Sequence, residues 1–188
     1  MKKRIVFLGV ALMTILYSHA QQQLPIDLNK STIKWSGEYT FHFGGHHGIV
    51  DFKEGYFVKS GDVISGGVFI IDMNSLRSLD IEDKKGRDGL DTHLKNADFF
   101  QVAMFPESAL VITAVDYHDE THMKVYADLT IKGITNPISF QAEVDYKKEQ
   151  MTTRFKIDRK RWGVNHSSSL QDGAISDGIG FEVTLTLK

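Results

Sequence analysis

The stretch that decides the fold is MKVYADLTIK, residues 123–132. Apolar side chains fall on every second residue, and the residues between them are polar or, at Tyr126, amphipathic. Such period-two alternation gives a β-strand one dry face and one wet face. We therefore predict an amphipathic strand whose dry face carries Met123, Val125, Ala127, Leu129 and Ile131.

Three segments downstream repeat the pattern, at residues 138–146, 153–158 and 179–187. Short polar stretches separate most of these strands, and we predict turns at Gly133–Asn136 and Lys147–Gln150, with Pro137 at the start of its strand. Four such strands predict an antiparallel meander. Its dry faces should meet in one cavity, formed by Val125, Leu129, Ile131, Phe140, Val144, Phe155, Ile157, Phe181 and Val183.

The first half of the chain is also rich in predicted strands, at residues 31–36, 50–59, 63–73 and 109–115. Residues 79–106 break the pattern, and the spacing of Leu90, Leu94 and Ala97 predicts one short helix near residues 88–100. About eight amphipathic strands in one domain predict an all-β fold, and closure into an antiparallel β-barrel leaves no edge open. The helical segment, with Leu90, Leu94, Phe99 and Phe100, should seal one end of the barrel and is a candidate gate.

The N-terminus has the three parts of a secretory signal peptide. Lys2, Lys3 and Arg4 precede an apolar run from Ile5 to Leu16, and Ser18-His19-Ala20 ends in small residues. The run is too short to span a bilayer, which requires about 20 apolar residues. We therefore expect residues 1–20 to be a signal peptide cleaved near Ala20, residues 21–188 to form one domain, and the protein to be periplasmic or secreted.

Charge and cysteine content exclude several classes of function. Removing Lys2, Lys3 and Arg4 from the 22 basic residues leaves 19 against 24 acidic ones, so the mature net charge is −5 with histidines neutral. This charge does not suit nucleic acid. The chain has no cysteine, which excludes disulfides and thiolate chemistry. No later segment is long and apolar enough to predict an integral membrane span.

No motif for catalysis is present, so we do not expect an enzyme. Histidines are the one metal-like signal, at His42, His46 and His47, with His93 in the helical segment. Imidazoles bind transition metals and haem iron, which keeps a metal- or haem-associated redox accessory protein open as an alternative. Gly44 and Gly45 argue against one shared helix face, and adjacent strand residues point to opposite faces. We therefore expect neither a metal site nor a cofactor.

Aromatic residues are spread along the predicted inward faces. Each one alone is well explained as part of a filled core. Together they also suit an apolar sleeve around a lipid, because burying hydrocarbon contributes about 0.8 kcal/mol per methylene. Three alternatives to a lipid carrier stay open: the redox accessory protein, an enzyme for an apolar substrate, and a filled barrel that offers only an interaction surface.

Four blocks in order resemble the YceI-like family. They are GGVFIIDMNSL at 66–76, HLKNADFFQVAMFPESALVIT at 93–113, ADLTIKGITNPISFQAEV at 127–144 and FKIDRKRWGV at 155–164. The resemblance implies a lipocalin-like antiparallel barrel with a helix packed at one end. It further implies an exported protein that holds an isoprenoid chain, such as a quinone tail or a polyprenyl phosphate, and it carries over no catalytic residue.

We therefore expect an exported carrier of an isoprenoid-type lipid, with a homodimer as one option for assembly. Polar residues at the mouth, His93 and Arg159, are candidates to meet the head group, although a strand-end salt bridge would also explain Arg159. The residues predicted to bind the lipid are Trp35, Phe57, Phe69, Ile71, Phe99, Phe100, Leu110, Ile112, Val125, Leu129, Ile131, Phe140, Val144, Phe155, Ile157 and Phe181.

Overall fold

A computed structural model describes residues 21–40, 43–166 and 175–188; the predicted signal peptide and His42 lie outside these ranges. Within them the chain forms nine strands, one α-helix and one 3₁₀ turn. In chain order these are β1 (Gln22–Pro25), β2 (Thr32–Tyr39), β3 (Gly45–Ser60), β4 (Val63–Ser78), α1 (Lys84–Lys95), β5 (Glu107–Tyr117), β6 (His122–Ile131), β7 (Ile134–Asp145), β8 (Gln150–Asp158), the 3₁₀ turn Arg159–Trp162 and β9 (Ile175–Thr186).

The strands close into an antiparallel barrel. They pair in the order β3-β2-β9-β8-β7-β6-β5-β4, and β4 pairs back with β3, so that eight strands form the ring. β1 continues along the edge of β3 that β2 occupies, as the pairs Gln22 with Lys59 and Ile33 with Val50 show. The predicted all-β antiparallel barrel of about eight strands with one short helix is confirmed. Among the residues that the structure describes, no helix is long and apolar enough to cross a bilayer.

The alternation that predicted the fold is present in β6, where Met123, Val125, Ala127, Leu129 and Ile131 are all buried. We call the end of the barrel where β6 starts the lower end, and the end that carries α1 the upper end. The lower end is filled by side chains at most 2% exposed, namely Ile26, Phe57, Met123 and Val125. Side chains that are buried this completely leave little space for a guest at the lower end.

α1 lies over the upper end, but its bounds differ from the prediction of residues 88–100. It begins at Lys84, because Asp83 caps it by accepting a hydrogen bond from the Gly86 N–H at 2.7 Å. It ends at Lys95, and residues 97–100 form turns. The helix is joined to β4 through Asp91, whose carboxylate accepts from both the N–H and the hydroxyl of Ser78 at 2.7 Å.

The predicted turn Gly133–Asn136 is wrong. β6 and β7 are joined by two residues only, Lys132 and Gly133, both with positive φ (51° and 71°), and β7 begins at Ile134. Two positive φ values give the turn a twist that matches paired strands. Pro137 consequently lies inside β7 rather than at its start. It is tolerated because β8 pairs with β7 only from Ala142 to Asp145, so β8 requires no ladder bond at Pro137.

Asp80, just after β4, ties this strand to the β2–β3 hairpin. Its carboxylate lies 2.7 Å from Nδ1 of His46 and accepts from the N–H of His47 at 3.1 Å. Partial burial acts to raise the pKa of Asp80, but the hydrogen bonds from His46 and His47 outweigh it and hold the pKa below its usual value. The ionised form of Asp80 therefore stabilises the upper end.

Gly133→Ala should destabilise the barrel more than Gly61→Ala does. Both glycines have positive φ (71° and 61°), so alanine costs about 1 kcal/mol at each from backbone strain. A Cβ at residue 133 would also lie 2.9 Å from the ring of Phe105, whereas a Cβ at residue 61 would meet no atom within 4 Å. Urea unfolding of both variants measures the difference, and equal losses would contradict the tight packing of this turn.

Asp80→Asn should lower the free energy of unfolding by about 1–2 kcal/mol at neutral pH, because the hydrogen bonds to a charged group are lost. The folded-state pKa of Asp80 is depressed, so its contribution is present above the unfolded pKa and is lost as pH falls through the folded one. The gap between wild type and variant should therefore close below about pH 4. Urea unfolding from about pH 7 to pH 2.5 measures it. Asp62→Asn, at a fully exposed side chain, is the control, and a gap that persists at low pH would contradict this role of Asp80.

Candidate functional site

An apolar cavity of about 170 Å³ lies between the filled lower end and the upper end. Its deepest wall includes Met151 and Leu185, which pair across β8 and β9 beside Val144. Its upper wall reaches Tyr39 and His46 of the β2–β3 hairpin and Arg159 of the 3₁₀ turn. We call α1 together with residues 96–100 the cap. The sheet and the cap enclose a space that the barrel's own side chains leave unfilled.

Twelve of the sixteen residues predicted to bind a lipid line this cavity. They are Trp35, Phe69, Ile71, Phe99, Phe100, Leu110, Ile112, Leu129, Ile131, Phe140, Phe155 and Phe181. The other four lie elsewhere: Phe57, Val125 and Val144 belong to the core of the lower end, and Ile157 packs with Trp162. The predicted cavity of the four C-terminal strands accordingly loses Val125, Val144 and Ile157 and keeps the remaining six residues, including Val183. Alternation predicts which side chains point inward, but not how far along the barrel the filled core extends.

Aromatic rings form a continuous part of the wall. Phe140 and Phe155 are stacked with centroids 4.7 Å apart and planes at 15°, and Phe181 follows at 5.3 Å from Phe155. On the next strand Trp35 pairs with Phe181 and passes over Gly48, where a Cβ would come within 2.6 Å of the indole. The flat faces of these rings give the cavity a smooth apolar surface.

The cap closes the cavity at its upper end. Leu90 and Leu94 of α1 line it together with Phe99 and Phe100, whose rings are 5.1 Å apart. The structure thus places all four residues of the predicted seal on the cavity wall. That this segment acts as a gate stays a prediction.

Arg159 brings a charge to this apolar wall. Its side chain is 3% exposed, and its guanidinium lies 5.8 Å from the centre of the Phe99 ring. The guanidinium donates to the carbonyl oxygens of Val164 at 2.6 Å and Ser176 at 3.3 Å. Its ion-pair partner Asp177 is 3.4 Å away.

The carboxylate of Asp177 is shared between Arg159 and a second cation, Lys160. Asp177 is 47% exposed and lies closer to Lys160, at 2.7 Å, than to Arg159. Two cations therefore share one anion, and the buried one has the longer contact. A buried cation with a distant, solvated partner attracts a further anion or acceptor oxygen. The predicted salt bridge exists, but it leaves positive charge beside the cavity.

The histidines singled out in the sequence are not gathered into one site. His42 lies outside the described residues, and the side chain of His47 is exposed. His46 lines the cavity, but its two ring nitrogens lie 2.7 Å from Asp80 and 3.0 Å from the hydroxyl of Tyr39. His93 lies on α1 outside the cavity lining, beside His166 with ring centroids 4.6 Å apart.

Sequence reasoning missed the buried hydroxyl of Ser108. This side chain lies on the cavity wall, and its oxygen has no hydrogen-bond partner among the residues that the structure describes. Buried polar groups normally have a partner, because an unsatisfied one costs about 1–3 kcal/mol. The sequence contained a signal for it, because Ser108 lies two residues before Leu110 and four before Ile112, on the same inward-facing side of β5.

Comparisons with known proteins agree with this geometry. The family model of the YceI-like domain matches residues 24–187. A UPF0312 protein of Staphylococcus aureus strain USA300 is 32% identical over 105 residues, which cover 50% of this chain and 58% of that protein. Another UPF0312 protein, from Pseudomonas putida strain W619, is 42% identical over 52 residues, covering 28% and 27%. The chain thus matches little more than half the length of the first relative.

Two solved structures have the same fold. The crystal structure of BcnA from Burkholderia cenocepacia superimposes with a TM-score of 0.63 at 19% identity, over 85% of this chain and 98% of that one. A YceI protein of Campylobacter jejuni gives 0.52 at 17% identity, over 100% and 99%. The match of the family model covers nearly all of the described residues, and the chain belongs to the family of YceI-like domains.

Proposed function

We propose that this protein is a binding protein that holds an isoprenoid-type lipid in its barrel, with the polar end of the lipid at Arg159. The observation that carries the proposal is the apolar cavity with one buried guanidinium on its upper wall. An apolar pocket with a few convergent polar groups is the usual form of a small-molecule site. The YceI-like fold is consistent with such a site.

The cavity favours a flexible hydrocarbon chain over a rigid polar ligand. Most polar wall groups lie toward the upper end, among them Tyr39, His46 and Arg159. The deeper wall is aliphatic and aromatic except for Thr153, whose hydroxyl donates to the carbonyl of Gln141 at 2.6 Å. Each buried methylene of a guest contributes about 0.8 kcal/mol. A chain with one polar end would therefore bind with that end upward.

The size of the cavity sets a condition on binding. A cavity of about 150 Å³ in another protein accepts benzene, so about 170 Å³ holds roughly one five-carbon isoprene unit. A longer tail requires the cap to move and Phe99 or Phe100 to withdraw from the cavity. We therefore propose that the closed barrel opens at this cap when it takes up a lipid.

Arg159 favours a head group with negative charge. A guanidinium has five N–H donors in a planar fork that suits phosphate. Three contacts are made within the protein, to Val164, Ser176 and Asp177. The shared anion Asp177 leaves the pair of Arg159 and Lys160 with net positive charge. A polyprenyl phosphate satisfies both this charge and the apolar wall.

Export belongs to the same proposal. Lys2, Lys3 and Arg4 followed by the apolar run to Leu16 suit a cleaved signal peptide, which would place the domain in the periplasm or outside the cell. An extracytoplasmic barrel would keep an insoluble lipid out of water between membranes. We propose a binding role without catalysis.

Val183→Trp should block the cavity. Val183 lies on its wall, paired with Ile33 and Thr153, whereas the neighbouring Thr184 is not part of the wall. Titration of the delipidated protein with geranylgeraniol, followed by intrinsic tryptophan fluorescence or calorimetry, should show affinity at least about tenfold weaker in Val183→Trp because the added ring fills the guest's space. Thr184→Trp is the matched control and should stay within about twofold. Equal affinities in both variants would refute a guest inside the barrel.

Arg159→Met should weaken binding of geranylgeranyl phosphate at least about tenfold more than that of geranylgeraniol, because only the phosphate uses the charge. The ratio of the two affinities stays meaningful even if loss of the bonds to Val164 and Ser176 lowers stability. Lys34→Met removes an exposed cation that pairs with Glu182 and does not line the cavity, so it serves as control, with a small effect expected. An unchanged ratio in Arg159→Met would show that Arg159 does not select the head group.

A further inference from the structure

A group of potential metal ligands lies at the upper end, next to the cap. His93 of α1, Asp98 after α1 and His166 after the 3₁₀ turn bring their ligand atoms within 4.8 Å of one another. Within residues 21–40, 43–166 and 175–188 this is the one group of at least three such side chains that could hold an ion.

The distances suit one ion held between the three side chains. Nδ1 of His166 lies 3.2 Å from Oδ2 of Asp98, and Nδ1 of His93 lies 3.6 Å from the same oxygen. Ligand atoms about 2.1 Å from a tetrahedral ion stand about 3.4 Å apart. The separation of 3.6 Å exceeds a hydrogen-bond length, whereas it matches two ligands of one ion.

The two imidazoles also pack edge to face. Their ring centroids are 4.6 Å apart at 74°, and a single carboxylate lies between their nitrogens. Neutral imidazole is the form that binds metal, and a divalent cation satisfies both nitrogens and the carboxylate together.

We propose that His93, Asp98 and His166 bind a divalent first-row transition-metal ion, for which Zn²⁺ is the reference. Two nitrogens and one carboxylate oxygen form a donor set found around zinc, with water in the remaining position. All three side chains are partly exposed, between 23% and 50%, so an ion and its water can reach them. This proposal replaces the sequence-based expectation of no metal, and it involves His93 but not His42, His46 or His47.

The ion would fasten the cap. His93 and Asp98 flank the end of the α1 segment, and His166 belongs to the connection between β8 and β9. Phe99, which lines the cavity, lies with its ring 5.7 Å from that of His93 and 5.8 Å from that of His166. An ion at this point would hold the residues that close the cavity against the opposite connection. The metal site itself does not depend on a lipid.

Calorimetric titration of the EDTA-treated protein with ZnCl₂ tests the proposal, and Co²⁺ supplies an absorption spectrum that reports nitrogen and oxygen ligands. We expect one saturable site and an increase in Tm with Zn²⁺. His93→Ala, Asp98→Asn and His166→Ala should each weaken Zn²⁺ binding at least about tenfold and change the visible bands of Co²⁺.

The control is His122→Ala, which removes an exposed histidine paired with Asp119 and should leave zinc affinity unchanged. The Tm of each variant without metal shows whether it is folded. Two results in the variants would overturn the proposal: zinc affinity unaltered in folded Asp98→Asn and His166→Ala, or binding that is lost in His47→Ala instead. Absence of saturable binding to the wild type would overturn it as well. Lipid titrations are separate measurements, so failure here does not affect the proposed lipid site.

Discussion

Closure of the sheet is the constraint on which the rest of the structure depends. Each of eight strands has a neighbour on both edges, and β3 reaches β4 on one side while β1 and β2 share the other. Because the ring is closed, every inward apolar side chain must meet another inward side chain, the cap or a guest. At the lower end Phe57, Met123 and Val125 satisfy one another. Above this core the rings of Trp35, Phe140 and Phe155 line the cavity but do not fill it.

The polar groups of the upper end follow from this geometry. A buried guanidinium is costly unless its N–H groups have acceptors and its charge has a partner. Arg159 donates to two backbone carbonyls, but its carboxylate partner Asp177 lies 3.4 Å away and also pairs with Lys160. Its position on the wall of an apolar cavity gives one end of the barrel a charge that the other lacks. The cap completes the asymmetry, since α1 and the segment around Phe99 close the upper end without belonging to the sheet. Lipid binding, head-group orientation and a metal-fastened cap are consistent with the same arrangement.

Much of the fold could be predicted from the sequence, because alternation is a local property. MKVYADLTIK became β6 with its expected dry face, and twelve of sixteen expected lining residues reached the cavity. Properties that depend on distant partners were missed. The turn at Lys132–Gly133 relies on two positive φ values, and Asp83 capped the helix earlier than its apolar spacing indicated. The separation of Val125 and Val144 from the cavity depends on how far the lower core extends, which no single strand encodes.

The candidate site was predictable in composition but not in arrangement. Arg159 was recognised, whereas His166 and Asp98 gained significance only because the fold places them beside His93. The central claim is that the barrel holds an isoprenoid-type lipid, and it is tested most directly by mass spectrometry of an organic extract of the protein purified from its natural host. The account predicts one apolar chain with a polar end, in near-stoichiometric amount. An extract without any such lipid, from a protein that also fails to take up geranylgeranyl phosphate, would contradict it.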